Sequence, residues 1–61
     1  MTAMPSEDFE AAYETLAVAI DRAGEKREAL FLTRLALLLG HKLGDIATFK
    51  QAVQTALEEL P

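Results

Sequence analysis

Few side chains in this 61-residue chain could carry out chemistry, and three of them recur with one spacing. Arg27, Arg34 and His41 are seven residues apart, which places them on one face of a helix at about 100° per residue. Such a cationic line could bind an anionic ligand or the acidic flank of a partner helix. Structural roles are the alternative: the Arg34 stem would cover apolar surface, and His41 would face a helix C-terminus.

The remaining reactive residues form no convergent catalytic set. Cys is absent, which excludes thiolate nucleophiles, disulfides and thiolate metal sites. His41 is the single histidine, so one chain cannot build a histidine metal site. Tyr13 has no assignable activating neighbour, and the hydroxyl residues Ser6, Thr15 and Thr33 match no nucleophile pattern. We therefore predict a protein that is not an enzyme and holds no metal or cofactor.

The composition is that of a helical, globular protein. Eleven Ala and ten Leu stand against two Val and two Ile, which favours helices over strands. The net charge of −4 disfavours nucleic acid as a partner. Residues 1–21 hold five acidic and no basic side chains, whereas residues 22–50 hold six basic and three acidic ones. This pattern indicates either solvated helix faces or charge matching between helices or chains.

Capping residues divide the chain into three helices within a single domain, 1–61. Ser6 and Asp45 are predicted N-caps, since their side chains can accept a free backbone N–H. Gly24 and Gly44 are predicted to end the preceding helices in left-handed backbone. The predicted helices cover about 6–23, 25–43 and 45–60.

Apolar positions recur at helical spacing along the first and third helices, so each has one face suited to a core. The stripe of the first helix contains Phe9, Ala12, Tyr13, Leu16, Ala19, Ile20 and Ala23, and that of the third contains Ile46, Phe49, Val53, Ala56, Leu57 and Leu60.

The second helix is apolar around most of its circumference, and two short neighbours cannot cover all of it. Leu30 and Leu37 form a ridge apart from its main apolar face, and Ala29, Ala36 and Gly40 form a strip that allows close approach. An exposed apolar patch of this kind usually marks an interface. We predict a contact surface at Leu30 and Leu37, extended by Phe31 and Leu38.

These features predict an all-α, three-helix antiparallel bundle with the second helix in the centre. The short connection through Gly44 and Asp45 would fold the second and third helices into a tight helical hairpin. Self-association would complete the fold, and a symmetric homodimer is the expected form.

The segment from Leu35 to Asp45, LALLLGHKLGD, resembles a family of short proteobacterial proteins described only as a domain of unknown function. The resemblance covers most of residues 9–58: an acidic first helix, a leucine run preceded by Arg, a Gly-Asp turn and a last amphipathic helix. Where this chain has Gly40 and His41, the family has residues more like Ala-Asn, so the resemblance implies no shared polar role there. Family genes often lie near enzymes of aromatic-compound breakdown, including flavin monooxygenases. The resemblance thus implies a small companion protein.

Two functions follow from these observations. The first is a non-catalytic interaction protein, an accessory subunit of a larger enzyme. The alternative is a helix-turn-helix-like DNA-binding regulator, because a Gly-containing turn joins the last two helices. The would-be recognition helix offers Lys50, Gln51 and Gln54 but also Glu58 and Glu59, which disfavours DNA.

The expected location is the cytoplasm. The start, Met1 to Pro5, lacks the basic and apolar regions of a secretory signal. A secreted domain of this size would usually carry disulfides. The longest apolar segment, Ala29 to Leu39, has 11 residues and is too short to cross a membrane.

Overall fold

Three helices make up the protein in a computed structural model that describes residues 4–61. They are α1 (Ser6–Ala23), α2 (Glu28–Leu43) and α3 (Ile46–Glu58), and residues 4–61 contain no strand. Helix α2 contacts both α1 and α3. The predicted all-α, three-helix fold with a central second helix is confirmed. Residues 1–3, part of the start for which the sequence predicts no secretory signal, lie outside the described residues.

Pro5 is the N-cap of helix α1, so the prediction that Ser6 is the N-cap is wrong. The backbone of Pro5 is extended, with φ −57° and ψ 153°. Its carbonyl accepts the first helical hydrogen bond, from the Phe9 amide at 2.9 Å. Ser6 is therefore already helical and makes no capping hydrogen bond. The carboxylates of Glu7 and Asp8 lie in the first turn, where the helix dipole stabilises negative charge.

A glycine turn separates α1 from α2. Gly24 has φ +84° and ψ 156°, a positive φ that favours glycine although the ψ is not left-handed helical. Its amide donates to the Ile20 carbonyl at 3.1 Å, and its carbonyl accepts from the Arg27 amide at 3.0 Å. Because residues 25–27 form this turn, α2 begins at Glu28, later than predicted.

The connection from α2 to α3 consists of Gly44 and Asp45. Gly44 takes the predicted left-handed conformation, with φ +72° and ψ 13°. Asp45 is the predicted N-cap: its carboxylate accepts from the Ala47 amide at 3.2 Å and from the Thr48 hydroxyl. Both helix ends at this connection therefore form as the sequence indicated. At the other end of the chain, α3 stops at Glu58 and not near residue 60.

The three helices meet near their connections and spread apart beyond them. Nearly all close Cα approaches join residues fewer than 12 positions apart, and no Cα of α1 lies within 8 Å of a Cα of α3. No residue in 4–61 is buried. The accessible surface is 5814 Å², against about 3,900 Å² for a compact chain of 6.7 kDa. Within one chain, residues 4–61 therefore form no continuous core.

The Asp45 cap makes the stability of α3 depend on pH. The hydrogen bond from the Thr48 hydroxyl has the largest effect and holds the pKa of the Asp45 carboxyl below its ordinary value of 3.8. Desolvation opposes it, and hydrogen bonds from the Ala47 and Thr48 amides lower the pKa by smaller amounts. Because the pKa of Asp45 is lower in the folded than in the unfolded protein, the ionised carboxylate stabilises α3 at every pH above the unfolded pKa. This stabilisation is lost as the pH falls through the folded pKa.

We predict that Asp45→Asn loses less helix stability than the wild type when the pH is lowered from 7 to below 3.8. Asn keeps a capping oxygen but does not titrate. Thermal melts followed by circular dichroism at both pH values measure this. Every other acidic residue is present in both proteins, so equal acid-induced losses would contradict the role given to Asp45.

Candidate protein-interaction surface

The contact between α1 and α2 uses only half of the predicted α1 stripe. The half-buried side chains lie near the Gly24 turn: Leu16, Ala19, Ile20 and Ala23 on α1, and Phe31 and Leu35 on α2. Farther from the turn, Phe9 is 63% exposed and Tyr13 is 71% exposed. The N-terminal half of α1 therefore carries its apolar stripe into solvent.

The contact between α2 and α3 centres on Gly40 and Phe49. A Cβ atom at Gly40 would lie 2.7 Å from Cε1 of the Phe49 ring, closer than real Cβ contacts come. Only a glycine lets the ring sit against the α2 backbone at this point. The small-residue strip in the sequence indicated close approach at Gly40, and the approaching group is an aromatic ring.

An apolar groove runs between α2 and α3 beside this contact. It will be called the α2–α3 groove, and its walls are Ala36, Leu39, Leu43, Phe49, Ala52 and Val53. None of these side chains carries a charge, and Val53 remains 45% exposed. The sequence showed the apolar positions of each helix, but not that two of these faces would border one open groove. That outcome depends on how far the helices diverge after Gly44.

The predicted contact residues of α2 lie in two environments. Leu30 is 54% exposed and Leu37 is 63% exposed, and Leu38 is likewise exposed. Phe31 is half-buried on the side of α2 that faces α1. Leu30, Leu37 and Leu38 are thus available to a partner, whereas Phe31 already takes part in the chain's own packing.

The predicted cationic residues are also divided between two places. Nε of Arg27 donates to the Ala23 carbonyl at 3.0 Å, which satisfies a free backbone group at the end of α1. Arg27 and Arg34 border a shallow depression with Leu30. His41 lies farther along α2, beside Leu37 and the α2–α3 connection. Arg27 therefore caps the end of α1 with its Nε, and all three side chains are exposed.

Residues 4–61 hold no group of three or more His, Cys, Asp or Glu side chains that could bind a metal ion. No helix in the same range is long and apolar enough to cross a membrane.

The exposed face of α3 is poorly suited to DNA. Lys50 is its single basic residue, beside the neutral Gln51 and Gln54, and Glu58 offsets that charge. Phosphate contacts need a basic face, so the apolar surfaces are the stronger candidates for a binding function.

No family model matches this chain, and neither the curated proteins nor the solved structures give a match.

We predict that the effect of Gly40→Ala on the free energy of unfolding changes sign when Phe49 is removed. Gly40→Ala should destabilise the protein by about 1 kcal/mol, because the added methyl overpacks against the ring. In a Phe49→Ala background the same substitution should stabilise it by about 1 kcal/mol, because Ala is the better helix former. Chemical denaturation followed by circular dichroism measures both. The same sign in the two backgrounds would rule out this contact.

Proposed function

We propose that this chain is a small, non-catalytic interaction protein that acts as an accessory or companion subunit of a larger cytoplasmic enzyme. The supporting observation is the amount of large apolar surface that three short helices leave uncovered. Contiguous exposed apolar patches on small proteins usually mark sites of protein association. The resemblance to the proteobacterial family suggests an enzyme of aromatic-compound breakdown as the partner.

The α2–α3 groove is the surface we assign to the enzyme. Its walls are aliphatic and aromatic and carry no charge, so the fitting occupant is an uncharged apolar segment. A groove between two helices can receive the apolar face of a helix from a partner, anchored by side chains at helical spacing. The exposed side chains of Leu39 and Val53 would provide the contact area.

A non-catalytic role agrees with the chemistry available. His41 and Asp45 are exposed polar residues that line a neighbouring depression, which shares Gly40 and Phe49 with the α2–α3 groove. The Asp45 carboxylate already accepts hydrogen bonds from the Ala47 amide and the Thr48 hydroxyl as a helix cap. An acid, a base and a nucleophile do not converge on one substrate position here, as an enzyme would require.

Affinity capture with a matched pair of variants tests the proposal. Tagged wild-type chain, expressed in its native host, should retain one larger protein in stoichiometric amount. Val53→Glu should lose that protein, because a carboxylate in the apolar groove would be buried without a partner. Gln54→Glu introduces the same side chain on the neighbouring residue, outside the groove walls, and should retain it.

The captured protein should also be an enzyme whose turnover or stability changes when the purified chain is added back. The proposal would be contradicted if repeated captures at low salt returned no stoichiometric partner. So would equal loss of the partner with Val53→Glu and Gln54→Glu, because the groove would then have no specific part in binding.

A further inference from the structure

One surface left uncovered in the single chain is acidic at its edge. At about 100° per residue, Phe9 and Tyr13 continue the stripe formed by Leu16 and Ile20, and Glu10 and Glu14 flank it on one side. The four residues farthest from the Gly24 turn, Phe9, Glu10, Tyr13 and Glu14, are all exposed. We call Phe9, Glu10, Tyr13 and Glu14 the acidic stripe.

A second uncovered surface, on α2, is basic. Leu30, Arg34, Leu37 and His41 fall within about 60° of one another around the helix, and all four are exposed. They combine two large aliphatic side chains with a guanidinium and an imidazole. We call these four residues the cationic ridge.

We propose that the acidic stripe of one chain packs on the cationic ridge of a second copy, and that the reverse contact forms at the same time. Phe9 and Tyr13 would cover Leu30 and Leu37, while the carboxylates of the stripe would face Arg34. Because each chain carries both complementary surfaces, a two-fold axis satisfies both at once and closes the assembly. This inference rests on the proposed role as an interaction protein and names a second copy as the occupant of these surfaces.

The two surfaces cannot meet within one chain. The half-buried contact near Gly24 holds the C-terminal half of α1 against α2. Close approaches between helices join almost entirely residues fewer than 12 positions apart, whereas Tyr13 and Leu30 are farther apart than that in the sequence. The N-terminal half of α1 therefore points away from its own cationic ridge, and only another chain can bring the two together.

The exposed area is large enough to contain an interface of standard size. The chain exposes 5814 Å², which exceeds the surface of a compact chain of its mass by roughly 1,900 Å². A specific interface of standard size buries about 800 Å² on each partner. A second copy could therefore take a full interface from this excess and still leave the α2–α3 groove free for a larger protein.

Sedimentation equilibrium of the purified full chain at micromolar concentration tests the inference. The wild type should sediment at about twice its mass of 6.7 kDa. Arg34→Glu, and separately Glu10→Arg combined with Glu14→Arg, should each weaken the dimer roughly tenfold or more, because like charges would then oppose each other. An equimolar mixture of these two variants should recover the dimer mass, since opposite charges meet again at both contacts.

Two controls separate this pairing from general effects. Lys50→Glu makes the same charge change on α3, outside both surfaces, and should leave the dimer intact. Circular dichroism of every variant should show wild-type helix content. A wild type that sediments only at 6.7 kDa, a mixture that stays monomeric, or a Lys50→Glu chain as weakened as Arg34→Glu would each overturn the inference.

The sedimentation result and the capture result can fail separately. A monomeric chain that still captures an enzyme through Val53 would remove the second copy but keep the proposed function. A dimer that captures no larger protein would keep the pairing with a second copy but remove the proposed function.

Discussion

Short connections determine where these three helices can touch, and every larger feature of the molecule depends on that constraint. The turn through Gly24 and Arg27 holds the end of α1 against the start of α2. The pair Gly44 and Asp45 holds the end of α2 against the start of α3. Away from these points the helices diverge, so apolar stripes that begin in a contact end in solvent.

This geometry has a direct consequence for stability. Isolated helices of this length are marginal in water, and packing of an apolar face normally supplies most of their stability. Here the packing is confined to a few half-buried side chains around Leu16, Ile20, Phe31, Leu35 and Phe49. Any partner that binds the folded chain would therefore stabilise it by mass action. In such a molecule the free energy of folding and that of association are closely linked.

The molecule has two kinds of uncovered surface, which differ in their charge. The α2–α3 groove is apolar and uncharged, which suits an apolar segment of a larger protein. The acidic stripe and the cationic ridge are apolar with opposite charges at their edges, which suits pairing between copies. Because the groove residues and the cationic ridge lie on different faces of α2 at about 100° per residue, one chain could engage a second copy and a larger partner together.

Much of the local structure could be predicted from the sequence, because it depends on interactions between near neighbours. Asp45 as a cap, left-handed Gly44 and the positive φ of Gly24 all follow from local hydrogen bonding and steric freedom. The Ser6 cap was wrong for an equally local reason: the Pro5 carbonyl already accepted the first helical hydrogen bond. The late start of α2 likewise came from a turn that closed on Gly24.

Three helices, their apolar faces and a surplus of apolar surface on α2 can be derived from the amino-acid sequence, since these features depend on composition and on a spacing of 3.6 residues. Which parts of those faces are covered depends on how the helices pack. This packing places the Phe49 ring on Gly40, uses Phe31 within the chain, and leaves Leu30 and Leu37 in solvent. The physical reason is that coverage depends on the angles at which helices leave their turns, and the periodicity of one helix carries no information about those angles.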